Sequence, residues 1–397
     1  MRLLWVSILG LVIASSVFAG PKVFILDPAR MEQTRVACNA GDSRFIPALD
    51  ALKAQAEAAL TVQPVSVIDD DLVPTSGDKH DYASLSIYAW PNPNTPDGKP
   101  YIIHDGEFNP EANQYDGGRI PVVTGTVETL ALAWWFTGEE KYAEHAARLL
   151  RVWFLDEATR MNPHLQYAQF VPGDRDGKHT GIIDTAVLAY QLIDAVGLLE
   201  NSIAWSDADQ IALQEWFGQY LTWLRESDNG QNETSELNNH GVYYDLQVVM
   251  FALFTGDEEF AQKQISEVTL PRFDLHFLAG GQQMFELMRT KAFDYSVYNL
   301  QAFFGMASVG EKLGVDVWHH KNKHGAGLSE ALGFLQTSME SGKWPFKQIV
   351  PLKPESLCAY LRRATIAYQD VKWEEASQRL VPGDHTADRL ELLWPLD

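Results

Sequence analysis

The sequence predicts an all-α fold built from helical hairpins, and three observations support that prediction. Eight stretches place apolar residues three and four positions apart, which is the spacing of one helix face. Glycines stand where two of these helices should end, and one segment that joins two helices occurs twice. The chain has 397 residues, of which 46% are hydrophobic, so it is long enough to bury a large core.

The periodic stretches carry helix-end signals at several of their boundaries. Ser206 precedes a stretch whose first turn contains Asp207 and Asp209, as is common at helix N-termini. Gly138 and Gly256 follow the ends of two other stretches, where glycine often ends a helix. In chain order the predicted helices cover 126–136, 140–154, 183–199, 207–226, 242–254, 257–268, 293–313 and 329–339.

The repeated segment suggests how the helices are arranged. FTGEEKYA at 136–143 recurs as FTGDEEFA at 254–261, each time between two amphipathic helices. Stacked hairpins either form an open solenoid or close into an α/α toroid, and the lack of a strict repeat period favours the toroid. We predict an incomplete barrel of about six or seven hairpins in one domain that spans 20–397.

Two long irregular stretches interrupt the helices. The first, 64–121, contains WPNPNTPDGKP at 90–100, and the second, 162–180, contains VPGDRDGKH at 171–179. Long loops on a rigid helical frame usually carry function. We expect both loops to lie over a cleft.

The start of the chain has the composition of a signal peptide. Arg2 is followed by an apolar stretch at 3–14, and Val17 and Ala19 are small residues suited to cleavage after Ala19. We therefore expect a periplasmic or secreted protein, and no later stretch long enough to span a membrane. The only two cysteines, at 38 and 358, either form a disulfide in that compartment or are buried free thiols.

The charge balance excludes several partners. The formal net charge is −22, with 53 acidic and 31 basic residues, which argues against nucleic acid and anionic membranes. An acidic polymer remains compatible, because local charge in a cleft decides binding and salt screens the global charge beyond about 8–10 Å. No phosphate loop, nucleophile elbow or dinucleotide fingerprint is present, so we predict no cofactor. The histidine-rich segment 319–324 lacks a helical frame and a carboxylate ligand, which favours a solvated turn over a metal site.

Two polar clusters stand at helix starts. In ELNNHGVYYD at 236–245, Asn238, Asn239 and His240 open an apolar helix, where free backbone donors are available. The alternative is a simple helix cap with His240 exposed. In ELMRTKAFDYSVYN at 286–299, Arg289 and Tyr295 flank a loop-to-helix junction; the alternative is that Arg289 pairs with the glutamate at 286 while the tyrosines lie in the core.

Taken together, these motifs resemble the alginate lyase superfamily. The match consists of Asn-Asn-His at a helix start, then Glu-Leu-x-Arg and Ala-x-x-Tyr. SIYAWPNP at 86–93, YAQ at 167–169 and GIIDT at 181–185 are similar to the larger branch, which cleaves glucuronan and alginate. The resemblance implies an α/α toroid and a polysaccharide lyase acting on an acidic polysaccharide. It also implies that Asn239 and Arg289 neutralise a uronate carboxylate, that His240 assists and that Tyr295 moves protons.

Further residues are candidates for substrate contact. Gly241 and Val242 displace the aromatic pair that follows the histidine in classical members, so the resemblance assigns that pair no firm role. Tyr88 and Trp90 are expected to stack on sugar rings, and the polar side chains of the second loop to meet neighbouring carboxylates. The full set comprises Tyr88, Trp90, Gln169, Arg175, Lys178, His179, Asn238, Tyr244, Glu286 and Tyr298.

The chemistry explains these residue types. β-Elimination removes the C5 proton of a uronate, which is acidic only when positioned donors stabilise charge on the carboxylate. A tyrosine, with a reference pKa of about 10, needs a nearby cation such as Arg289 or Lys291 to act as base. In mannuronate and glucuronate, one tyrosine can reach both the C5 proton and O4, which favours mannuronate-rich alginate or glucuronan. Guluronate would need an opposite base, for which His240 is available.

Two other functions remain open at this point. An α/α toroid also hosts glycoside hydrolases, which would use paired carboxylates such as Asp184 with Glu236 or Glu286. A non-catalytic polysaccharide-binding protein would need only the aromatic and basic loop residues, and gains little from a clustered phenol, guanidinium and imidazole. We expect a monomer in each case.

Overall fold

The computed structural model describes residues 20–396. The predicted signal peptide at 1–19 lies outside the described residues. The described chain is mainly helical, as predicted. Its α-helices are α1 (Pro28–Asn39), α2 (Ile46–Ala59), α3 (Asp116–Thr137), α4 (Glu140–Leu150), α5 (Ile193–Leu199), α6 (Asp207–Glu226), α7 (Asp228–Glu233), α8 (Asn239–Thr255), α9 (Glu258–Lys263), α10 (Leu270–His276), α11 (Met284–Leu287), α12 (Ala292–Lys312), α13 (Leu328–Glu340), α14 (Cys358–Tyr368), α15 (Lys372–Leu380) and α16 (Leu390–Leu393).

Four short strands lie in the two irregular stretches. They are β1 (Ala83–Leu85), β2 (Ala89–Trp90), β3 (Ile102–Ile103) and β4 (Tyr167–Phe170). β1 pairs with β4 in parallel, and β2 pairs with β3 in antiparallel orientation. The β1–β4 pair joins the two long loops, so both are held over the same end of the helices.

The predicted helix ends are confirmed where a cap was recognised. Gly138 and Gly256 adopt left-handed φ values of 71° and 92° directly after α3 and α8. Ser206 accepts a hydrogen bond from the backbone N–H of Asp209, which completes a capping box at the start of α6. The two copies of the repeated segment therefore form equivalent turns between helices.

Four predicted stretches differ from the structure at a boundary or in their interior. α3 begins at Asp116, so Pro121 lies inside the helix and does not end the first irregular stretch. The stretches 140–154 and 257–268 run into π-helical turns at Arg151–Leu155 and Gln264–Thr269. Stretch 183–199 is interrupted by a further π-turn at Leu188–Leu192 before α5. An inserted residue widens the turn without breaking the apolar face, so periodicity alone does not reveal it.

The helices pack as successive hairpins around shared inner helices. α3 packs against α2, α4 and α5, and α8 packs against α6, α9 and α12. α16 contacts α1 and α2, so the two ends of the described chain meet. One hydrophobic cluster runs from Val23 to Leu393. α8 is buried on nearly every side, as expected for an inner helix that is apolar all round.

Two expectations about the chain as a whole need revision. The stretch His179–Leu199 has the length and composition of a membrane span, contrary to our expectation that no later stretch would. Within the protein 72% of its most apolar window is buried, which is also how a core helix behaves. Cys38 and Cys358 are half-buried free thiols, so the disulfide alternative is not formed.

Candidate active site

Asn239, the first residue of α8, is held by a carboxylate from another helix. Its backbone N–H and its side-chain Nδ2 each donate to Glu286, at 2.7 Å and 2.7 Å. Burial raises the pKa of Glu286 to about 7, while the two hydrogen bonds from Asn239 lower it. Asn239 is only 1% exposed, and its Oδ1 has no hydrogen-bond partner among residues 20–396. Asn239 therefore helps to fix the start of α8, whereas its contact with a substrate carboxylate stays a prediction.

His240 fits the helix-cap interpretation in its backbone and the active-site interpretation in its side chain. Asn238 caps α8 by accepting from the backbone N–H of His240 at 2.9 Å, as the helix-cap interpretation predicts. The His240 side chain is not freely exposed, because its Nδ1 lies 2.7 Å from Oε1 of the fully buried Glu233. An ionised carboxylate only accepts hydrogen bonds, so this pair keeps the proton on Nδ1 and leaves Nε2 free.

A buried ion pair fixes the loop before α8. Arg272 donates to Asp245 at 2.7 Å and also to the backbone carbonyls of Thr234 and Glu236. A Cβ on Gly241 would lie 2.2 Å from the Glu236 carbonyl oxygen and 2.6 Å from Nη1 of the arginine. Glycine is thus required at 241 because another backbone segment and a guanidinium pass directly beside it.

Arg289 is paired with an acidic residue of the first loop. Its Nη2 donates to Asp105 Oδ1 at 2.6 Å, and its Nε lies 3.4 Å from Oδ2. The same carboxylate accepts from the backbone and hydroxyl of Thr290, at 3.2 Å and 3.0 Å. The alternative that Arg289 pairs with Glu286 is wrong, because Glu286 is engaged by Asn239. Asp105 therefore orients the guanidinium and anchors the first loop to the start of α12.

Tyr295 lies directly beside that guanidinium. Arg289 Nη2 donates to the Tyr295 hydroxyl at 2.8 Å, and Arg289 Cζ lies 3.9 Å from the centre of the ring. The Tyr295 hydroxyl also lies 2.6 Å from the hydroxyl of Tyr88 on the first loop. Burial raises the pKa of Tyr295, and the adjacent Arg289 opposes that shift. The phenol thus has both a cation and a second phenol within hydrogen-bond reach.

Glu286 connects the two clusters. It lies on the short helix α11, three residues before Arg289, and its carboxylate holds Asn239 at the start of α8. The positive charge of Arg289 also lowers the pKa of Glu286. The two sequence clusters, which are about 45 residues apart in the chain, therefore form one site.

The second loop supplies an opposite polar wall. Gln169 has a positive φ of 52°, a strained value for a side chain of this kind, and its Nε2 donates to Asp184 at 2.7 Å. Lys178 Nζ donates to Ser86 Oγ at 3.2 Å, and burial lowers the pKa of Lys178. The neighbouring His179 lies 2.9 Å from the carboxylate of Glu236, just before α8.

Two of the predicted substrate contacts, Tyr244 and Glu286, are buried and engaged by other residues, whereas substrate contact by Arg175 and Tyr88 stays a prediction. Tyr244 is a core residue, 5% exposed, whose hydroxyl donates to the Leu224 carbonyl. Glu286 is 1% exposed and fully engaged by Asn239, so it positions another residue. Arg175 is exposed on the loop surface and pairs with its neighbour Asp174. The hydroxyl of Tyr88 lies 2.6 Å from the hydroxyl of Tyr295.

The other aromatic candidates lie at the edges of the site. The Trp90 indole donates to the Glu107 carbonyl at 2.9 Å and its ring lies 6.4 Å from that of His104. Tyr298 stacks on Tyr243 with ring centres 4.2 Å apart. Stacking of either side chain on a sugar stays a prediction.

Two residues of the site were missed at the sequence level. Asp105 contacts a partner 184 positions away, and nothing in the loop around it repeats or alternates. Glu233 ends α7, seven positions before its partner His240. The Asp-x-x-x-x-Glu pattern at 228–233 is that of any exposed helix, so only its complete burial distinguishes it.

The carboxylates required for a hydrolase are not free. Asp184 is half-buried and accepts hydrogen bonds from Tyr82, Ser84 and Gln169. Glu286 is occupied by Asn239 as described. Glu236 lies 2.9 Å from His179 and accepts a hydrogen bond from Asn238. All three carboxylates of the predicted hydrolase pairs are thus engaged by other side chains. Within residues 20–396, no group of three or more metal-ligating side chains is arranged to hold an ion.

Known proteins resemble this chain in both sequence and structure. A sequence model described as alginate lyase matches residues 68–345. The structure of an alginate lyase from Bacteroides ovatus is 35% identical over 95% of this chain and 100% of its own, with a TM-score of 0.91. No curated protein matches the chain at the level of sequence.

More distant structures share the fold. A histidine-to-alanine variant of alginate lyase A1-III complexed with tetrasaccharide is 12% identical, covers 95% of this chain and 97% of its own, and has a TM-score of 0.58. The apo form of that variant is 14% identical over 89% and 90% of the two chains, with a TM-score of 0.56. Together with the closed ring of hairpins, these matches confirm the predicted α/α toroid.

Proposed function

The chain belongs to the alginate lyase family and is a polysaccharide lyase, and from this premise we propose that it cleaves 1,4-linked polyuronates by β-elimination. The proposed substrates are mannuronate-rich alginate and glucuronan. The observation that supports the proposal best is the contact of Arg289 Nη2 with the Tyr295 hydroxyl at 2.8 Å, next to the Asn239–Glu286 pair.

In the proposed reaction, Tyr295 takes the C5 proton of the uronate. The electron pair of that C–H bond forms the C4–C5 double bond, and the C4–O4 bond breaks. The tyrosine then returns its proton to O4, so atoms and charge balance within one residue. Arg289 and Asn239 stabilise the charge that develops on the carboxylate, which is the step that makes C5 acidic. Free Nε2 of His240 supports a secondary activity on guluronate, where the C5 proton lies on the opposite face.

A substrate panel tests this function. The protein is incubated with polymannuronate, glucuronan, alginate and polyguluronate while ultraviolet absorbance follows the new double bond. We expect absorbance to rise most with polymannuronate or glucuronan. Products with reducing ends but no absorbance would instead indicate hydrolysis, and no product from any polymer would refute the substrate class.

The role of Tyr295 is tested by Tyr295→Phe. We expect kcat to fall by about 10²–10⁴-fold, as for loss of a general acid–base group, with an unchanged melting temperature. The control is Tyr101→Phe, which changes a loop phenol paired with Glu111. Residue 293 is in the core, so Phe293→Tyr is not used. Full activity of Tyr295→Phe would exclude the assigned proton transfer.

Export is a separate proposal, supported by the composition of residues 1–19. We expect the mature protein to begin at Gly20 when the full chain is made in a bacterial host with a secretion system. Mass spectrometry of the periplasmic and culture fractions measures this directly. An intact Met1 in the cytoplasmic fraction alone would contradict it.

A further inference from the structure

Lys178 is a partly buried cation without a carboxylate partner. Its Nζ donates to Ser86 Oγ at 3.2 Å, and among residues 20–396 no acidic side chain forms a hydrogen bond or ion pair with it. An ammonium group has three donors, so two remain unused. A charge withdrawn from water without a partner is unfavourable and is typical of a binding site whose ligand is absent.

The carboxylates nearest to Lys178 are already engaged. Asp184 and Glu233 both act on its charge from a distance. Asp184 accepts hydrogen bonds from three other side chains, and Glu233 is paired with His240. Within the described residues, Lys178 therefore has no carboxylate in direct contact.

Lys178 lies beside the reacting centre. Ser86 and Tyr88 belong to one turn, closed by a 2.8 Å hydrogen bond from Ala89 N–H to the Ser86 carbonyl. The Cα atoms of Ser86 and Tyr88, two positions apart in the chain, are at most about 7 Å apart. Ser86 contacts Lys178 on one side, and Tyr88 contacts Tyr295 on the other. The ammonium and the catalytic phenol therefore contact residues of the same turn.

We infer, on the basis of the proposed function, that Lys178 binds the carboxylate of the sugar next to the one that loses its C5 proton. Arg289 and Asn239 serve the reacting sugar, so the site recognises two carboxylates on consecutive sugars. A polymer in which uronates alternate with neutral sugars leaves Lys178 without a partner in the complex, and a desolvated unpaired charge opposes its binding. The enzyme therefore requires contiguous uronates.

Kinetics on two kinds of polymer test this requirement. The wild-type protein should cleave polymannuronate or glucuronan at least about tenfold more efficiently than a polymer of alternating uronate and neutral sugar. Lys178→Met should raise KM on the contiguous polymer by about 10- to 100-fold, as for loss of a hydrogen bond to a charged group, while kcat changes less than about threefold. On the alternating polymer the KM of the variant should be equal to or lower than that of the wild type, because the unpaired charge is removed. Lys263→Met, which removes an exposed lysine bonded to Glu259 on α9, is the control.

Two further variants separate charge recognition from support of the loop. Lys178→Arg keeps the cation and should retain KM within about fivefold. Ser86→Ala removes the loop contact but leaves the ammonium, and should change KM less than about threefold. If Ser86→Ala reproduces the loss seen with Lys178→Met, the lysine acts through the loop and the inference is overturned. A wild-type KM in Lys178→Met overturns it as well.

A binding measurement separates this inference from the proposed reaction. In a Tyr295→Phe background, calorimetry compares a mannuronate tetrasaccharide with its carboxyl-reduced form. Lys178→Met should weaken binding of the first by about 10- to 100-fold and should not weaken binding of the second. If wild-type turnover is absent but this difference is present, the reaction fails and the Lys178 inference stands. Equal affinities with and without the lysine refute the inference even if lyase activity is normal.

Discussion

At the scale of single residues, Glu286 links both halves of the site through one carboxylate. It accepts two hydrogen bonds from Asn239 and stands three residues before Arg289. A carboxylate suits this place because it offers two acceptors to two donors that face it. An amide offers only one acceptor, so even an isosteric replacement changes the helix start.

We predict that Glu286→Gln reduces both activity and stability. One of the two Asn239 donors loses its acceptor, which costs about 1–3 kcal/mol and lets the Asn239 amide rotate away. We expect kcat to fall by about 10- to 100-fold and the free energy of unfolding by a similar 1–3 kcal/mol, measured by initial rates and urea titration. Glu355→Gln at an exposed position is the control. Unchanged kcat in Glu286→Gln would show that Asn239 needs no orientation.

The pH dependence of the reaction should follow Tyr295. Burial raises the pKa of this phenol, so its reactive, deprotonated form is scarce at neutral pH and increases as pH rises. We therefore predict that kcat/KM rises with pH into the alkaline range. The negative charge of Asp105 also raises the pKa of Tyr295, so Asp105→Asn should shift the rising limb to lower pH.

The Asp105→Asn shift distinguishes electrostatics from mere anchoring of the loop. The introduced amide would still accept a hydrogen bond from Thr290, so the loop contact is partly kept while the charge is removed. Rates across a pH series, with Asp274→Asn on the exposed side of α10 as control, measure the limb directly. A lower rate with no change in the position of the limb would assign Asp105 a structural role only.

Much of the residue-scale site could be predicted from the sequence, but its supporting contacts could not. Asn239 and His240 are recognisable because polar groups open an apolar helix, and Arg289 and Tyr295 because they flank a second one. Asp105 is one acidic residue among many in an irregular loop, and its partner is 184 positions away. Such a contact forms only when distant segments of the folded chain come together, so the spacing of residues in the loop does not reveal it.

At the scale of elements, the start of α8 is the most constrained junction in the site. Gly241 lies within the first turn, where Arg272 and the Glu236 carbonyl leave no space for a Cβ. The arginine is itself paired with the buried Asp245. The helix start that carries Asn239 and His240 is therefore held by packing from outside the helix as well as by its cap.

We predict that Gly241→Ala disrupts this junction. The added methyl would lie 2.2 Å from a carbonyl oxygen, so the backbone or the arginine must move, at about 1–3 kcal/mol for overpacking. Activity should fall together with the melting temperature. Gly125→Ala in α3 is the matched control, because no atom lies within 4 Å of its Cβ; there alanine should add about 0.5–1 kcal/mol of stability. Gly241→Ala with unaltered melting and activity would disprove the packing constraint.

Helices were predictable in proportion to how distinct their apolar faces are. α6 was predicted residue by residue, because large apolar side chains recur along one face and Ser206 caps it. α2 was missed because three of its four buried positions, Ala48, Ala56 and Ala59, are alanines. Their small side chains do not form an apolar face that stands out in the sequence. The π-turns were missed because one inserted residue leaves the apolar spacing nearly unchanged.

At the scale of the whole molecule, the proposed substrate and the protein carry charge of the same sign. The net charge is −22, yet Arg289 contacts the reacting phenol and Lys178 contacts the turn that also carries Tyr88. Long-range repulsion acts on the approach of the polymer, whereas the cations act after contact. These two effects respond differently to salt, because screening removes distant interactions first.

We predict that kcat/KM on a polyuronate passes through a maximum as ionic strength increases. The screening length falls from about 30 Å at 0.01 M to about 8 Å at 0.15 M, so the repulsion that slows encounter weakens first and kcat/KM should rise about two- to tenfold. Near 1 M, where the screening length is about 3 Å, contacts with Arg289 and Lys178 weaken too and kcat/KM should fall.

Initial rates below KM in sodium chloride measure the curve, and kcat at saturation should stay nearly constant. A uronate trisaccharide, with few charges to repel, should show a smaller initial rise. A steady decline from the lowest salt for the polymer would mean that local attraction already governs its approach.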